Sequence, residues 1–88
     1  MSESQTLLEF PCQFAIKAMG KTRDDFDAIV VEIVRRYVGD IREGAVSSRP
    51  SKAGNYTSVT VMIEATSREQ LDAIYQSLFD HPDVLMTL

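Results

Sequence analysis

The sequence is poor in the residues that most often mark chemistry: one cysteine, one histidine and no tryptophan. A lone cysteine forms no internal disulfide, which fits a reducing cytoplasm. No apolar run approaches the ~20 residues that a membrane-spanning helix needs. The start, Met1-Ser2-Glu3-Ser4-Gln5, lacks the basic opening of a signal peptide. These features predict a cytoplasmic chain with no membrane partner. Cations are also in the minority, with 9 Lys and Arg against 13 Asp and Glu and a net charge of -4. General nucleic-acid affinity needs cations that displace counterions, so none is expected. Zinc-ligand spacing, a phosphate-binding P-loop and a nucleophile–base pair are all missing. The chain is accordingly read as a non-enzyme without cofactor or metal.

What is present is an ordinary globular composition, 44% hydrophobic and 25% charged. A chain this short predicts one domain over residues 1–88, with 1–9 a polar tail that includes a short turn at Thr6-Leu7-Leu8-Glu9. The clearest element runs from Gly54 to Thr66. Val59, Val61, Ile63 and Ala65 fall on one side of it, and Ser58, Thr60, Met62 and Glu64 on the other. This period of two describes a strand with one buried face.

Earlier in the chain, Phe10-Pro11 blocks a helix, because proline drives its predecessor toward an extended conformation. Cys12, Phe14, Ile16 and Ala18 then alternate as a first strand that Gly20 is expected to end. Thr22 is the expected cap of a first helix, with Asp24 and Asp25 in its first turn, where the dipole favours negative charge. Phe26, Ile29, Val30, Ile33, Val34 and Tyr37 make its apolar stripe, and Gly39 stops it. Residues 43–49 predict a short polar edge strand, joined by the turn-rich Pro50–Asn55 loop to the strand already described. Two capping boxes compete for the second helix, Thr66 with Glu69 and Ser67 with Gln70. Leu71, Ile74, Tyr75 and Leu78 form its stripe, flanked by Phe79. His81-Pro82-Asp83 closes it, with His81 exposed at the helix end, and Val84, Met86 and Leu88 alternate as a last strand.

The order is β-α-β-β-α-β. Two singly striped helices with right-handed crossovers must cover the same side of one sheet. The predicted fold is therefore an α+β ferredoxin-like sandwich with antiparallel strand order 4-1-3-2. Its other side is bare. Gln13, Ala15, Lys17 and Met19, then Tyr56, Ser58, Thr60, Met62 and Glu64, then Leu85 and Thr87 are expected there. That side reads either as a solvated sheet surface or as a contact surface built on Met19, Met62 and Leu85. Arg42, Arg49 and Lys52 gather around the second strand and its hairpin, as a charged edge or as a contact for an acidic partner. Cys12 reads as a small buried hydrophobe.

Known uses of such a fold each require groups that can be checked. RNA readers stack bases on several aromatics of the central strands, and only Tyr56 qualifies. Copper carriers need a cysteine pair. Phosphate hydrolysis needs an anion cradle after strand one, where Asp24 and Asp25 occupy the positive helix end instead.

Several segments together carry a family likeness. Glu9-Phe10-Pro11, Phe14, Lys17-Ala18-Met19-Gly20, Pro50-Ser51, Gly54-Asn55-Tyr56, Ser58-Val59 and the ending Val84-Leu85-Met86-Thr87-Leu88 closely resemble the YbeD family of small bacterial cytosolic proteins. The resemblance implies an ACT-like domain, similar to the regulatory domain of phosphoglycerate dehydrogenase. It also implies a regulatory role tied to lipoate metabolism. The chain departs from the family at Ala53, where lysine is common, and at Thr57, where histidine is. Any role of those two family residues does not carry over.

The functional expectation is a regulatory or protein-interaction module. Lys17, Met19, Lys52, Asn55, Tyr56, Met62 and Leu85 are its candidate contacts with another chain, as a monomer or weak homodimer. The alternative is an amino-acid-type sensor binding at the turn after strand one, through Gly20 and Asp24.

Overall fold

The computed structural model describes residues 8–87. Most of the expected tail, with Thr6 and Leu7 of its expected turn, and the terminal Leu88 lie outside the described residues. β1 (Cys12–Lys21), α1 (Phe26–Val38), β2 (Val46–Pro50), β3 (Tyr56–Ala65), α2 (Arg68–Asp80) and β4 (Met86–Thr87) follow in order, with one 3-10 turn at Glu43–Ala45 before β2. The sheet is antiparallel with order β2-β3-β1-β4, which read from the other edge is 4-1-3-2. This is the expected ferredoxin-like sandwich.

β3 lies inside the sheet, and its alternation has the expected cause. Val59, Val61, Ile63 and Ala65 are buried beneath the helices, while Met62 and Glu64 stay exposed. Ile16 and Ala18 of β1 share that buried side. They pack in one cluster with Phe26, Val30, Ile33 and Val34 of α1 and with Leu71, Ile74 and Leu78 of α2. Ile33 and Ile74 in one cluster place both helices on one side of the sheet. Each buried aliphatic side chain contributes roughly 1.5–3 kcal/mol relative to an exposed one, so this cluster is what closes the sandwich. Tyr37 and Ser77 join the helices through their hydroxyls at 2.5 Å, and the Gln70 amide donates to the Tyr37 carbonyl at 3.2 Å.

Of the two competing boxes, Ser67 with Gln70 forms. The Ser67 hydroxyl accepts the Gln70 N–H at 3.0 Å, and the Gln70 side chain accepts the Thr66 N–H at 2.8 Å. Gly39 ends α1 with φ of 79° and ψ of -141°, a positive-φ conformation that glycine adopts without a Cβ clash.

Three local expectations are corrected. Gly20 does not end β1, which continues to Lys21. Thr22 does not cap α1, which starts at Phe26 after Asp25 with no side-chain cap. Its hydroxyl meets that of Thr57 at 2.8 Å, and its N–H donates to the Asn55 carbonyl at 3.0 Å. Asp24 and Asp25 consequently precede the helix instead of lying within its first turn. His81 is half-buried, not exposed, and its Nδ1 accepts the Asp83 N–H at 3.1 Å.

Candidate functional site

The helices cover one face of the sheet, and register decides what the other face carries. Residues opposed across an antiparallel pair point to the same side. Across β1 and β3 the open-side pairs are Gln13 with Glu64, Ala15 with Met62, Lys17 with Thr60, Met19 with Ser58 and Lys21 with Tyr56. β2 adds Ser47 beside Thr60 and Arg49 beside Ser58. β4 adds Met86 beside Met19. Two cross-strand rows result: Ser47–Thr60–Lys17, then Arg49–Ser58–Met19–Met86.

Leu85 precedes β4 and belongs to neither row. Its N–H donates to the Met19 carbonyl at 2.8 Å, while the residue paired with Met19 is Met86. Leu85 is exposed and lines a cleft with Lys21, Thr22, Arg23, Pro82 and Asp83. Thr87, paired with the buried Ala18, faces the helix side and not the open one. The β4 side chain that register places on the open side is Met86.

The rows enclose a shallow cleft of about 410 Å³ lined by Lys17, Ser47, Ser48, Arg49, Ser58 and Thr60. Among the described residues neither Lys17 nor Arg49 has an ion-pair partner. Among the described residues, Lys17, Lys21 and Arg49 share the face with one carboxylate, Glu64, which lies at its far end opposite Gln13. The face is thus locally basic on a chain of net charge -4. Apolar area sits beside the charge, with Met62 40% and Met86 51% exposed.

The hairpin candidates lie at one end of this face. Gly54 has φ of 80°, the Gly54 N–H donates to the Ser51 carbonyl at 2.9 Å, and the Tyr56 carbonyl accepts from Ser51 N–H at 2.7 Å. Gly54 and Asn55 thus serve turn geometry, and Asn55 also pins the turn after β1 through its carbonyl. Lys52 and Asn55 stand exposed on the hairpin, off the sheet, while Tyr56 opens β3 opposite Lys21.

At the alternative site Gly20 is buried. A Cβ placed there would come within 2.5 Å of the Phe26 ring and closer still to the Asp83 carbonyl oxygen. The space beside that glycine is therefore filled by the protein's own side chain. Arg23 reaches Asp25 at 2.6 Å and Asp83 at 2.8 Å, tying this turn to the end of α2. The hydrogen bond and charge of Asp25, then the charge of Asp83, raise the Arg23 pKa above its ordinary value. Asp24 is exposed.

No described polar or charged side chain is fully buried, and no three His, Cys, Asp or Glu among the described residues gather as metal ligands do. What the open face offers is cations, hydroxyls and methionine surface, a set suited to binding.

Residues 5–88 match the family described as "Protein of unknown function (DUF493)". The chain belongs to this family. It is 47% identical to a UPF0250 protein of Paraburkholderia phytofirmans, over 99% of this chain and 98% of that one. A UPF0250 protein of Nitrosomonas europaea is 46% identical over 96% of this chain and 97% of its own. The family is the YbeD-like one that the Phe10-Pro11 and Gly54-Asn55-Tyr56 segments resemble. The solution structure of protein HP0495 from H. pylori shares the fold, with a TM-score of 0.72 at 18% identity, covering 98% of this chain and 90% of that one. No helix among the described residues is long and apolar enough to cross a membrane.

Sequence reasoning missed Ser47, Arg49 and Met86 as members of one surface with Lys17 and Met19. The strand types were readable, but the register that joins them was not.

Proposed function

We propose that the chain is a regulatory protein-interaction module that docks another protein through its open sheet face. The observation that carries this reading is the composition of that face, where Met62 and Met86 stand exposed beside Lys17 and Arg49, without ion-pair partners among the described residues. Exposed methionine adapts to varied apolar partners, and the adjoining cations add orientation. The partner is a different chain and not a second copy. Two such faces brought together would set Lys17, Lys21 and Arg49 of both copies on one interface, where like charges repel.

The sensor alternative depends on room at Gly20, and the Phe26 ring occupies it. Among the described residues, no side chain brings support for the lipoate connection that the resemblance implies.

The test compares proteins co-purified with tagged wild type, Met62→Glu and Phe79→Glu. Met62 is on the open face, and Phe79 is an exposed residue of α2. A chain recovered with wild type and Phe79→Glu but lost with Met62→Glu supports the reading. Recovery of the same chains in the same amounts with all three contradicts it.

A further inference from the structure

Resting on that reading, we infer that the partner presents an extended acidic segment, whose carboxylates are received by Lys17 and Arg49 with the hydroxyls of Ser47, Ser58 and Thr60. Three observations meet here. First, the cleft joins two cations and three hydroxyls from three strands, and neither cation is neutralised by a described neighbour. Such groups favour an anion, since ammonium and guanidinium donate charge-assisted hydrogen bonds that a hydroxyl can supplement.

Second, the balance of charge differs between the two sides. The bare face carries Lys17, Lys21 and Arg49 with Glu64 at its far end, whereas the helices carry Asp27, Glu32, Glu69, Asp72 and Asp80 against Arg35, Arg36 and Arg68. The bare face is therefore the side that draws an acidic partner, by an attraction that salt will screen.

Third, the two cations flank the strand between them. Lys17 on β1 is opposite Thr60 and Arg49 on β2 is opposite Ser58, so they stand on either side of β3 and two residues apart along it. Two residues of strand span about 6.8 Å, which is also the repeat of every second side chain in an extended peptide. A segment laid over β3 therefore meets a cation on one flank and then on the other at successive same-side positions. Its next same-side position lies over Met62.

Single-stranded nucleic acid is also anionic and extended, but it binds by stacking on aromatic platforms. Among the described residues Tyr56 alone offers a ring on this face, because Phe14 of β1 points to the helix side and packs edge-on against Tyr75, with ring centres 6.5 Å apart. A peptide needs no such platform.

The experiment uses the full chain and a short fluorescein-labelled peptide alternating Glu and Val, with a Gln and Val peptide, a single-stranded RNA oligonucleotide and inorganic phosphate as the other arms. Anisotropy reads affinity, and amide chemical shifts locate binding. The Glu peptide is expected to shift the amides of Lys17, Arg49, Ser58 and Thr60 and to weaken as salt rises. Lys17→Gln with Arg49→Gln is expected to lose about tenfold in affinity or more, as unpairing charged contacts does. Lys17→Arg, which keeps the charge, is expected to retain binding, and thermal melting checks that each variant is folded. Equal binding of the Gln peptide, tighter binding of the RNA or of phosphate, or shifts confined to the helices overturn the inference. So does absence of binding at physiological salt. Should the acidic peptide fail while Met62→Glu still abolishes capture of the partner, only the acidic assignment falls and the docking face stands.

Discussion

Gly20 lies directly beneath the ring of Phe26, so close that a Cβ on the glycine would stand 2.5 Å from a ring carbon. The glycine is needed for this approach and not to break a strand, since β1 continues past it. Gly20→Ala must move both the Phe26 ring and the Asp83 carbonyl, and overpacking of this kind costs about 1–3 kcal/mol. Urea denaturation should show a lower midpoint with an unchanged slope. An unchanged midpoint would mean that the ring and the Asp83 carbonyl can both give way without cost.

The sandwich closes through side chains from both helices, and two of them test it. Ile33→Ala and Ile74→Ala remove fully buried groups, and each is expected to cost roughly 2–5 kcal/mol. Phe79→Ser is expected to change stability by less than about 0.5 kcal/mol, because Phe79 is 77% exposed. Denaturant midpoints compare the three. A large loss at Phe79 would reveal a contact that its exposure does not suggest.

Ser67 and Thr66 are adjacent hydroxyl residues with unequal tasks. Ser67 caps α2 through Gln70, whereas the Thr66 contribution is its backbone N–H. Ser67→Ala is expected to cost about 1 kcal/mol, and Thr66→Ala much less. Thermal melting of both variants measures the contrast, and equal losses would contradict this assignment of the cap.

Burial raises the Tyr75 pKa above the ordinary tyrosine value of 10.0. The folded state therefore keeps this proton to higher pH than the unfolded chain does. The corresponding stability is fully present below about pH 10 and is lost as pH rises through the folded value. Urea midpoints across this alkaline range should fall more steeply for wild type than for Tyr75→Phe. Parallel slopes would show that the phenol is not desolvated.

How far these features could be read in advance differs from element to element. β3 was legible because Val59, Val61, Ile63 and Ala65 are buried from both helices while their neighbours are not. α2 was legible because its stripe and its capping pair agree. The start of α1 was not, because Thr22 was free by sequence to cap but is drawn to Thr57 and Asn55, residues of a hairpin more than thirty positions away. The parity of β4 was equally hidden. Val84, Leu85 and Met86 are all apolar, so no alternation marks which of them faces the open side, and the pairing of Met86 with Met19 places Met86 there. Arg49 joined Lys17 only through the register of β2 on β3, which depends on how the loop after Pro50 turns.

Placing a photoreactive p-benzoyl-phenylalanine at position 62 on the bare face, and separately at position 79 on α2, tests the docking surface most directly. Irradiation in cells followed by mass spectrometry is predicted to yield a covalent adduct with one particular protein from position 62 and none from position 79. Adducts from position 79 alone, or none from position 62, would contradict the account.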